Sequence, residues 1–428
     1  MDDINKLALF GGKPVVTEQF PKWPCITEDD IQAVTSTLIN EELSAYEVIK
    51  GSLYDFEEEL RKRFNMQYAL LVGSGTAALQ SAAFALGLGP GDEVIVPTIT
   101  FPATASVFLH SGASVKFVDV DEITGNPSIE QIQREITCNT RAVVIAHAWG
   151  ISAEVDALHS YLAKKGIALI EDGARALGSQ CNGREVGTIG DVGCFSFHEL
   201  KAVPAGEGGL FLTNNRHYYE RAVVLGHYFR SKEKLHLSET EFYKYRDSGL
   251  GLNLKIHPIA ASLARSQFTK LDHRINIMKK NHDIFENYIS ASSYFDVQRK
   301  PAWANRISYY GFNFLWLPEK YGFYISVNTI VSALRAEGIH ASIIGNPPLF
   351  KMELFKDSVD CGPLPGKVCG SVEDKDYLGS VKHAMSLCRL PNIVEDDPKW
   401  CNYYLNALEK ISCNIENLMH WECEKNTK

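Results

Sequence analysis

Tyr68-Ala69-Leu70-Leu71-Val72-Gly73-Ser74-Gly75-Thr76-Ala77-Ala78-Leu79 passes from an unbroken apolar run into a glycine-rich turn, and then into a helix-forming run that reaches Leu86. An apolar run without alternation reads as a strand buried on both faces. The same grammar recurs downstream. Glu93–Val96, Val115–Val120, Ala142–Ala146, Ala168–Glu171, Val192–Phe197 and Gly209–Thr213 read as further short strands, with helices at Thr104–His110 and Asp156–Lys165. Strands alternating with helices need crossover connections, so the expected class is α/β: a mostly parallel, seven-stranded sheet sandwiched by helices. After Pro258 the texture changes to long helices (Ile259–Lys270, Arg274–Ser290), an aromatic strand-like stretch (Tyr309–Leu317), a helix (Val327–Glu337) and an irregular stretch, Asn346–Asp374. This predicts an N-terminal arm with helices over 1–65, a large domain over 66–258 and a smaller α+β domain over 259–428.

Composition narrows the function. Lys plus Arg number 43 against 52 Asp plus Glu, a formal net charge of −9, which argues against nucleic-acid binding. The uncharged runs Tyr68–Pro90 and Val94–Val115 are long enough to raise the question of a membrane span. The first is broken by Gly73-Ser74-Gly75-Thr76 and the second by Pro97, Pro102 and His110, so both read as buried segments of a soluble protein. Met1–Lys6 lacks the basic and apolar regions of a signal peptide, and the 10 cysteines form no Cys-x-x-Cys pair. The expected compartment is the cytoplasm. The 13 histidines show no metal-ligand spacing, and no metal is expected.

Three places carry chemistry. Gly73–Ala78 joins a strand to a helix, where free backbone N–H groups and the helix dipole favour an anion. It also satisfies G-x-G-x-x-A, the dinucleotide pattern, which requires an acid at the end of the next strand. Asp92 and Glu93 stand before that strand rather than after it, which weakens an oxidoreductase reading; a tight turn without a ligand also fits the loop alone. Asp172, in Ile170-Glu171-Asp172, ends an apolar strand at the edge where parallel sheets bind ligands, although a helix cap would look the same. Lys201 follows Val192–His198 and precedes Gly206-Glu207-Gly208-Gly209; a lysine leaving a buried strand is a candidate imine-forming amine, although most lysines are solvated. Taken together, a phosphate cradle, an acid about 100 residues later and Ser-x-x-x-x-Lys about 25 beyond match the needs of pyridoxal 5'-phosphate.

Gly75-Thr76-Ala77-Ala78-Leu79, Pro90–Pro97, Ile170-Glu171-Asp172 and Ser196-Phe197-x-x-x-Lys201 with Gly206-Glu207-Gly208-Gly209 resemble the DegT/StrS family of pyridoxal-phosphate-dependent aminotransferases, of aspartate-aminotransferase-like fold type I. The resemblance implies that Lys201 holds the cofactor as a Schiff base and Asp172 pairs with its ring nitrogen. It places the phosphate on Gly75, Thr76, the Ala77 N–H and Ser196, and stacks Phe101 on the ring. His147 and Trp149 match a substrate-side stretch, and Asn253 and Lys255 a segment that reaches the neighbour's cofactor phosphate in a homodimer with composite sites. Arg175 stands where the family usually has His or Gln; it pairs with the cofactor's phenolate oxygen, or turns away and caps its segment.

The implied reaction moves an amino group from glutamate or glutamine, through pyridoxamine phosphate, to a keto sugar, nucleotide-linked or not, or a keto cyclitol. A sugar elimination or dehydration would use the same lysine and acid, although a related dehydratase branch carries His in place of the lysine. A dinucleotide-dependent oxidoreductase is the remote alternative.

Overall fold

Apolar continuity decides the strands. In the computed structural model, which describes residues 5–40, 43–44, 52–227, 240–318, 322, 325–356 and 364–426, each expected run pairs into one sheet. These are β1 (Tyr68–Val72), β2 (Glu93–Pro97), β3 (Ser114–Val118), β4 (Thr140–Ala146) and β5 (Ala168–Asp172), followed, after a small hairpin of β6 (Gln180–Cys181) and β7 (Arg184–Glu185), by β8 (Val192–Ser196) and β9 (Gly209–Thr213). With β12 at Val368–Cys369, the strand order is β1-β9-β8-β5-β4-β2-β3-β12, β9 being antiparallel to both neighbours and the other pairs parallel. The sheet thus has eight strands where seven were expected. The eighth, β12 (Val368–Cys369), is too short to show any periodicity and lies in the stretch read as irregular.

Successive side chains of each strand enter opposite faces. Leu70 and Val72 pack with Val94, Val96 and the helices Gly75–Ala85, Ala103–Ser111 and Arg216–Gly226. Ala69 and Leu71 pack instead with Phe56, Leu60, Phe64 and Ile275. Further along that second face Val143, Ile145 and Leu169 meet Leu158 and Leu162 of the helix Val155–Ala163. Both faces are covered, which is why the runs carry so little charge. No helix among the described residues is long and apolar enough to cross a membrane.

A second, antiparallel sheet orders β10 (Phe295–Val297), β11 (Phe312–Trp316) and β13 (Leu387–Leu390) side by side. Its core contains Phe312, Phe314 and Trp316 with Tyr404 and Leu408 of the helix Pro398–Ser412. Packing crosses the expected partition in two places: Leu7 and Val16 of the arm sit in this C-terminal core, whereas Leu349, Phe350, Phe355 and Tyr377 sit beneath the large sheet. Met1–Ile4, part of the stretch read for a leader, lie outside the described residues.

Candidate active site

Parallel strands bring their carboxyl ends to one edge. The loops leaving β1, β2, β4, β5 and β8 carry Gly75 and Thr76, Phe101, His147 and Trp149, Asp172 and Arg175, and Ser196 and Lys201; all line one cavity of about 510 Å³. Residues spread over 127 positions of chain thus meet because each directly follows a strand of the same direction.

The turn after β1 is shaped by close approach. Gly75 opens the helix Gly75–Ala85, and a Cβ there would fall 2.9 Å from Ser196 Cβ, so the turn can lie against β8 only with glycine. Ser74 caps the helix, its Oγ accepting from the Ala77 N–H at 3.0 Å. Gly75, Thr76 and Ser196 therefore face the cavity as expected, whereas Ala77 is buried with its N–H already engaged.

Asp172 ends β5 nearly buried. Its Oδ2 accepts from Thr104 Oγ1 at 2.7 Å and its Oδ1 from the Ala174 N–H at 3.1 Å. Thr104 in turn lies 2.9 Å from the Thr100 hydroxyl. The preceding residue, Glu171, points to the opposite side and is fully buried. It accepts from His147 Nε2 at 3.1 Å and from the N–H groups of Gly187, Ile189 and Gly190 at 2.8, 2.8 and 2.6 Å. Burial alone would raise its pKa; the His147 and backbone donors outweigh it and hold the carboxyl below its ordinary value. His147 Nδ1 accepts from the Ala153 N–H at 3.3 Å, which leaves Nε2 as the nitrogen that donates to Glu171. Both ring nitrogens are thus committed inside the protein. The side chain lines the cavity and at the same time anchors the loop after β4 to the strand that carries Asp172.

Lys201 lies at the centre of a cationic wall. Its Nζ is 4.9 Å from the Tyr310 ring centroid, and the guanidinium carbons of Arg389 and Arg175 lie 4.3 and 5.3 Å from the same ring. Burial pushes the Lys201 ammonium down; Tyr310 and Asp172 oppose that shift, and Arg175 and Arg389 add to it. Burial would raise the Tyr310 phenol, but Lys201, Arg389 and Arg175 overcome it and lower its pKa. Arg175 does not turn away to cap its segment: it lies 4.9 Å from the Trp149 ring, inside the cavity wall. Trp149 is buried and donates from Nε1 to His383 Nε2 at 2.9 Å. Phe101 is 55% exposed at the cavity mouth. Asn253 and Lys255 do not line the cavity; their segment runs beside the turn, Leu254 O accepting from the Gly73 N–H of the same chain at 2.7 Å.

Sequence reasoning missed Thr104, Glu171, Tyr310 and Arg389 as contributors. Arg389 left one visible signal, a charge inside the otherwise apolar strand Leu387-Cys388-Arg389-Leu390. Asp92 and Glu93 sit at the opposite end of the sheet, where Asp92 accepts from the Gly89 N–H and Glu93 from the Thr137 and Thr140 hydroxyls. The loop after β2, Thr98–Pro102, therefore offers no acid for a ribose, which counts against the dinucleotide reading.

The model of the DegT/DnrJ/EryC1/StrS aminotransferase family matches residues 24–367. The chain belongs to that family. It is an enzyme of a transaminase family, and membership implies pyridoxal phosphate. A protein of Streptoalloteichus tenebrarius with the provisional name L-glutamine:3-amino-2,3-dideoxy-scyllo-inosose aminotransferase is 30% identical over 362 residues, 84% of this chain and 85% of that one. GDP-perosamine synthase of Escherichia coli O157:H7 is 32% identical over 243 residues, which span 56% of this chain and 64% of the relative. Among solved structures, an aminotransferase from Psychrobacter cryohalolentis superposes with a TM-score of 0.81 at 24% identity, covering 93% of this chain and 100% of that one. E. coli GDP-4-keto-6-deoxy-D-mannose-3-dehydratase superposes with 0.77 at 22%, covering 93% and 99%. The fold is therefore shared by transaminase and dehydratase, and only side chains can separate them.

Proposed function

We propose that this chain is a pyridoxal-phosphate-dependent aminotransferase that moves an amino group from glutamate or glutamine to a keto sugar or keto cyclitol. The observation that carries the reading is the convergence on one cavity of an amine with a lowered pKa, Lys201, a buried acid, Asp172, and an anion turn, Gly75-Thr76 with Ser196. The donor set fits the cofactor: the helix N-terminus and Ser196 suit its phosphate, Asp172 its ring nitrogen, Lys201 its aldehyde and Phe101 a face of its ring. When bound, the cofactor supplies an electron sink for carbanion chemistry.

The chain's own groups do the rest. Thr104 and the Ala174 N–H donate to the two oxygens of Asp172 and fix its orientation, and this carboxyl group would pair with the cofactor's ring nitrogen. Lys201, which loses its proton more readily than an exposed lysine, takes a proton from the donor's α-carbon and returns it as general acid. Keto-sugar and cyclitol acceptors are favoured because the curated relatives carry such names. Asn253 is exposed beside Leu250 and Leu252, apolar side chains also open to solvent, which supports a homodimer in which this segment reaches the partner's site. A cytoplasmic location completes the proposal. Elimination or dehydration is the second reading, and Lys201 in place of His disfavours it.

The test is direct. The purified protein should absorb visibly with bound pyridoxal phosphate, and borohydride reduction should leave the label on Lys201 by peptide mass spectrometry. Lys201→Ala should lose the absorption, the label and glutamate-dependent amination. A label elsewhere, or amination surviving in the variant, would overturn the assignment.

A further inference from the structure

Trp149 stands in the main-cavity wall under backbone strain. Its φ is 58°, a left-handed conformation that disfavours a bulky residue, and Gly150 after it is left-handed too, at φ +86°. Strain of this kind persists where the surroundings over-determine a residue, and it collects at functional sites. Two sets of contacts hold Trp149. Its loop is clamped by Asn126, whose Oδ1 accepts from the Ala148 N–H at 3.0 Å and whose Nδ2 donates to the Ile151 carbonyl at 3.0 Å. Its indole is fixed separately, by the 2.9 Å hydrogen bond from Nε1 to His383 Nε2.

His383 is fully buried, and its partners determine which nitrogen carries the proton. An indole N–H only donates, so Nε2 accepts and is unprotonated; Nδ1, 2.9 Å from the Glu122 carbonyl, carries the proton. The backbone is shaped around this bond. Gly125 has φ +74°, and a Cβ there would fall 2.8 Å from His383 Nε2 and 3.1 Å from Trp149 Nε1. The helix that carries His383, Leu378–Ser386, is itself anchored to the large sheet. Asp119, just past β3, accepts from the N–H groups of Gly379 and Ser380 at 2.9 and 2.8 Å, and the Ser380 hydroxyl meets that of Thr98, just past β2. His383 is thus a fixed point against which the indole is set.

The indole in turn carries Arg175. That guanidinium carbon lies 4.9 Å from the Trp149 ring, within reach of a cation–π contact, and Arg175 disfavours the charge on Lys201. An indole free to turn would let the cation move. We propose that His383, which does not line the cavity, is a positioning residue of the active site: by holding the Trp149 indole it holds Arg175 beside Lys201. The inference rests on the aminotransferase reading for the work of Lys201.

The test follows the visible band of the holoenzyme, with pyridoxal phosphate bound on Lys201, as pH is varied. His383→Phe keeps a buried ring and removes the acceptor; with Arg175 released, the pKa read from the band should rise by roughly half a unit or more. His383→Gln, whose amide oxygen can stand at the Nε2 position, should return most of the wild-type value, and Trp149→Phe should give a shift comparable to that of His383→Phe. The double variant should shift no further than either single one, because both remove the same hydrogen bond. Shifts that add, or a folded His383→Phe that titrates as the wild type does, would overturn the proposal. Where His383→Phe does not melt cooperatively, Trp149→Phe decides, and an unchanged pKa there overturns it too. A wild type that holds no cofactor on Lys201 would overturn the aminotransferase reading and this inference with it, whereas a normal band indifferent to the variants refutes the positioning role alone.

Discussion

Glu171→Gln changes one atom in the buried brace behind the active-site acid, and its cost can be worked out donor by donor. Oε1 accepts from the Ile189 and Gly190 N–H groups, and a glutamine carbonyl placed there keeps both. The amide NH₂ then stands at Oε2, facing His147 Nε2–H and the Gly187 N–H. His147 cannot escape by changing tautomer, because a proton on Nδ1 would meet the Ala153 N–H. Two buried donors are left facing a donor, at about 1–3 kcal/mol each, so the loss should be about 2–6 kcal/mol from a total of about 5–15. Urea unfolding should show a lower midpoint at unchanged slope. The pH dependence has a definite sign. The folded carboxyl has a pKa below its unfolded value of about 4.3, so its stabilisation is present above that value and lost as pH falls through the folded one. The gap between wild type and variant should therefore narrow below about pH 4. A gap under about 1 kcal/mol at neutral pH would refute the brace, since it would mean that an amide satisfies what the structure assigns to a carboxylate.

Three further outcomes follow from named contacts. Gly75→Ala puts a Cβ 2.9 Å from Ser196 Cβ, which must push the anion turn off β8; pyridoxal phosphate affinity, read by fluorescence titration, should fall by roughly ten-fold or more, and unchanged affinity would refute the close-approach argument. Burial lowers the pKa of both His383 and His282 from 6.5 to about 4, so each group's stabilisation is intact above pH 6.5 and is lost as pH falls towards 4. At about 1.36 kcal/mol per unit each contributes up to roughly 3 kcal/mol, and melting temperatures should drop across that window. Trp149 holds a left-handed backbone, φ 58°, that glycine adopts without strain; Trp149→Gly should therefore be more stable than Trp149→Ala by about 1 kcal/mol, the reverse of the usual order.

The legible parts of the protein were those in which fold and chemistry share a stretch of chain. Strand, turn and helix at Tyr68–Ala85 are consecutive, so one apolar run announced both the sheet and the glycine turn that lines the cavity. Asp172, Ser196 and Lys201, which the cavity brings together, could be singled out for the same reason: each ends or closely follows a buried strand. Tyr310 and Arg389 could not be, because tertiary packing alone brings them to Lys201, from the turn before β11 and from β13, more than 100 positions away. His147 was placed in the loop that lines the cavity, but its two partners, Glu171 and the Ala153 N–H, are visible only when the strands are side by side. The eighth strand escaped because two residues carry no period.

The net charge of −9 misdescribes the place where chemistry happens. Around Tyr310 three cations gather within 5.3 Å of one ring, and of the carboxylates on the main cavity wall Asp172 is engaged while Glu207 is largely solvated. That local excess has a consequence for Lys201. Its pKa is low because burial and two guanidiniums disfavour its charge. An anion seated on Arg389 or Arg175 cancels part of that cationic field, so its arrival makes the free amine more basic. By reciprocity, protonation of Lys201 tightens the hold on the anion. The two arginines beside Tyr310 thus also set when the lysine releases and recovers its proton, which couples the charge of whatever the cavity holds to the acid–base chemistry of Lys201.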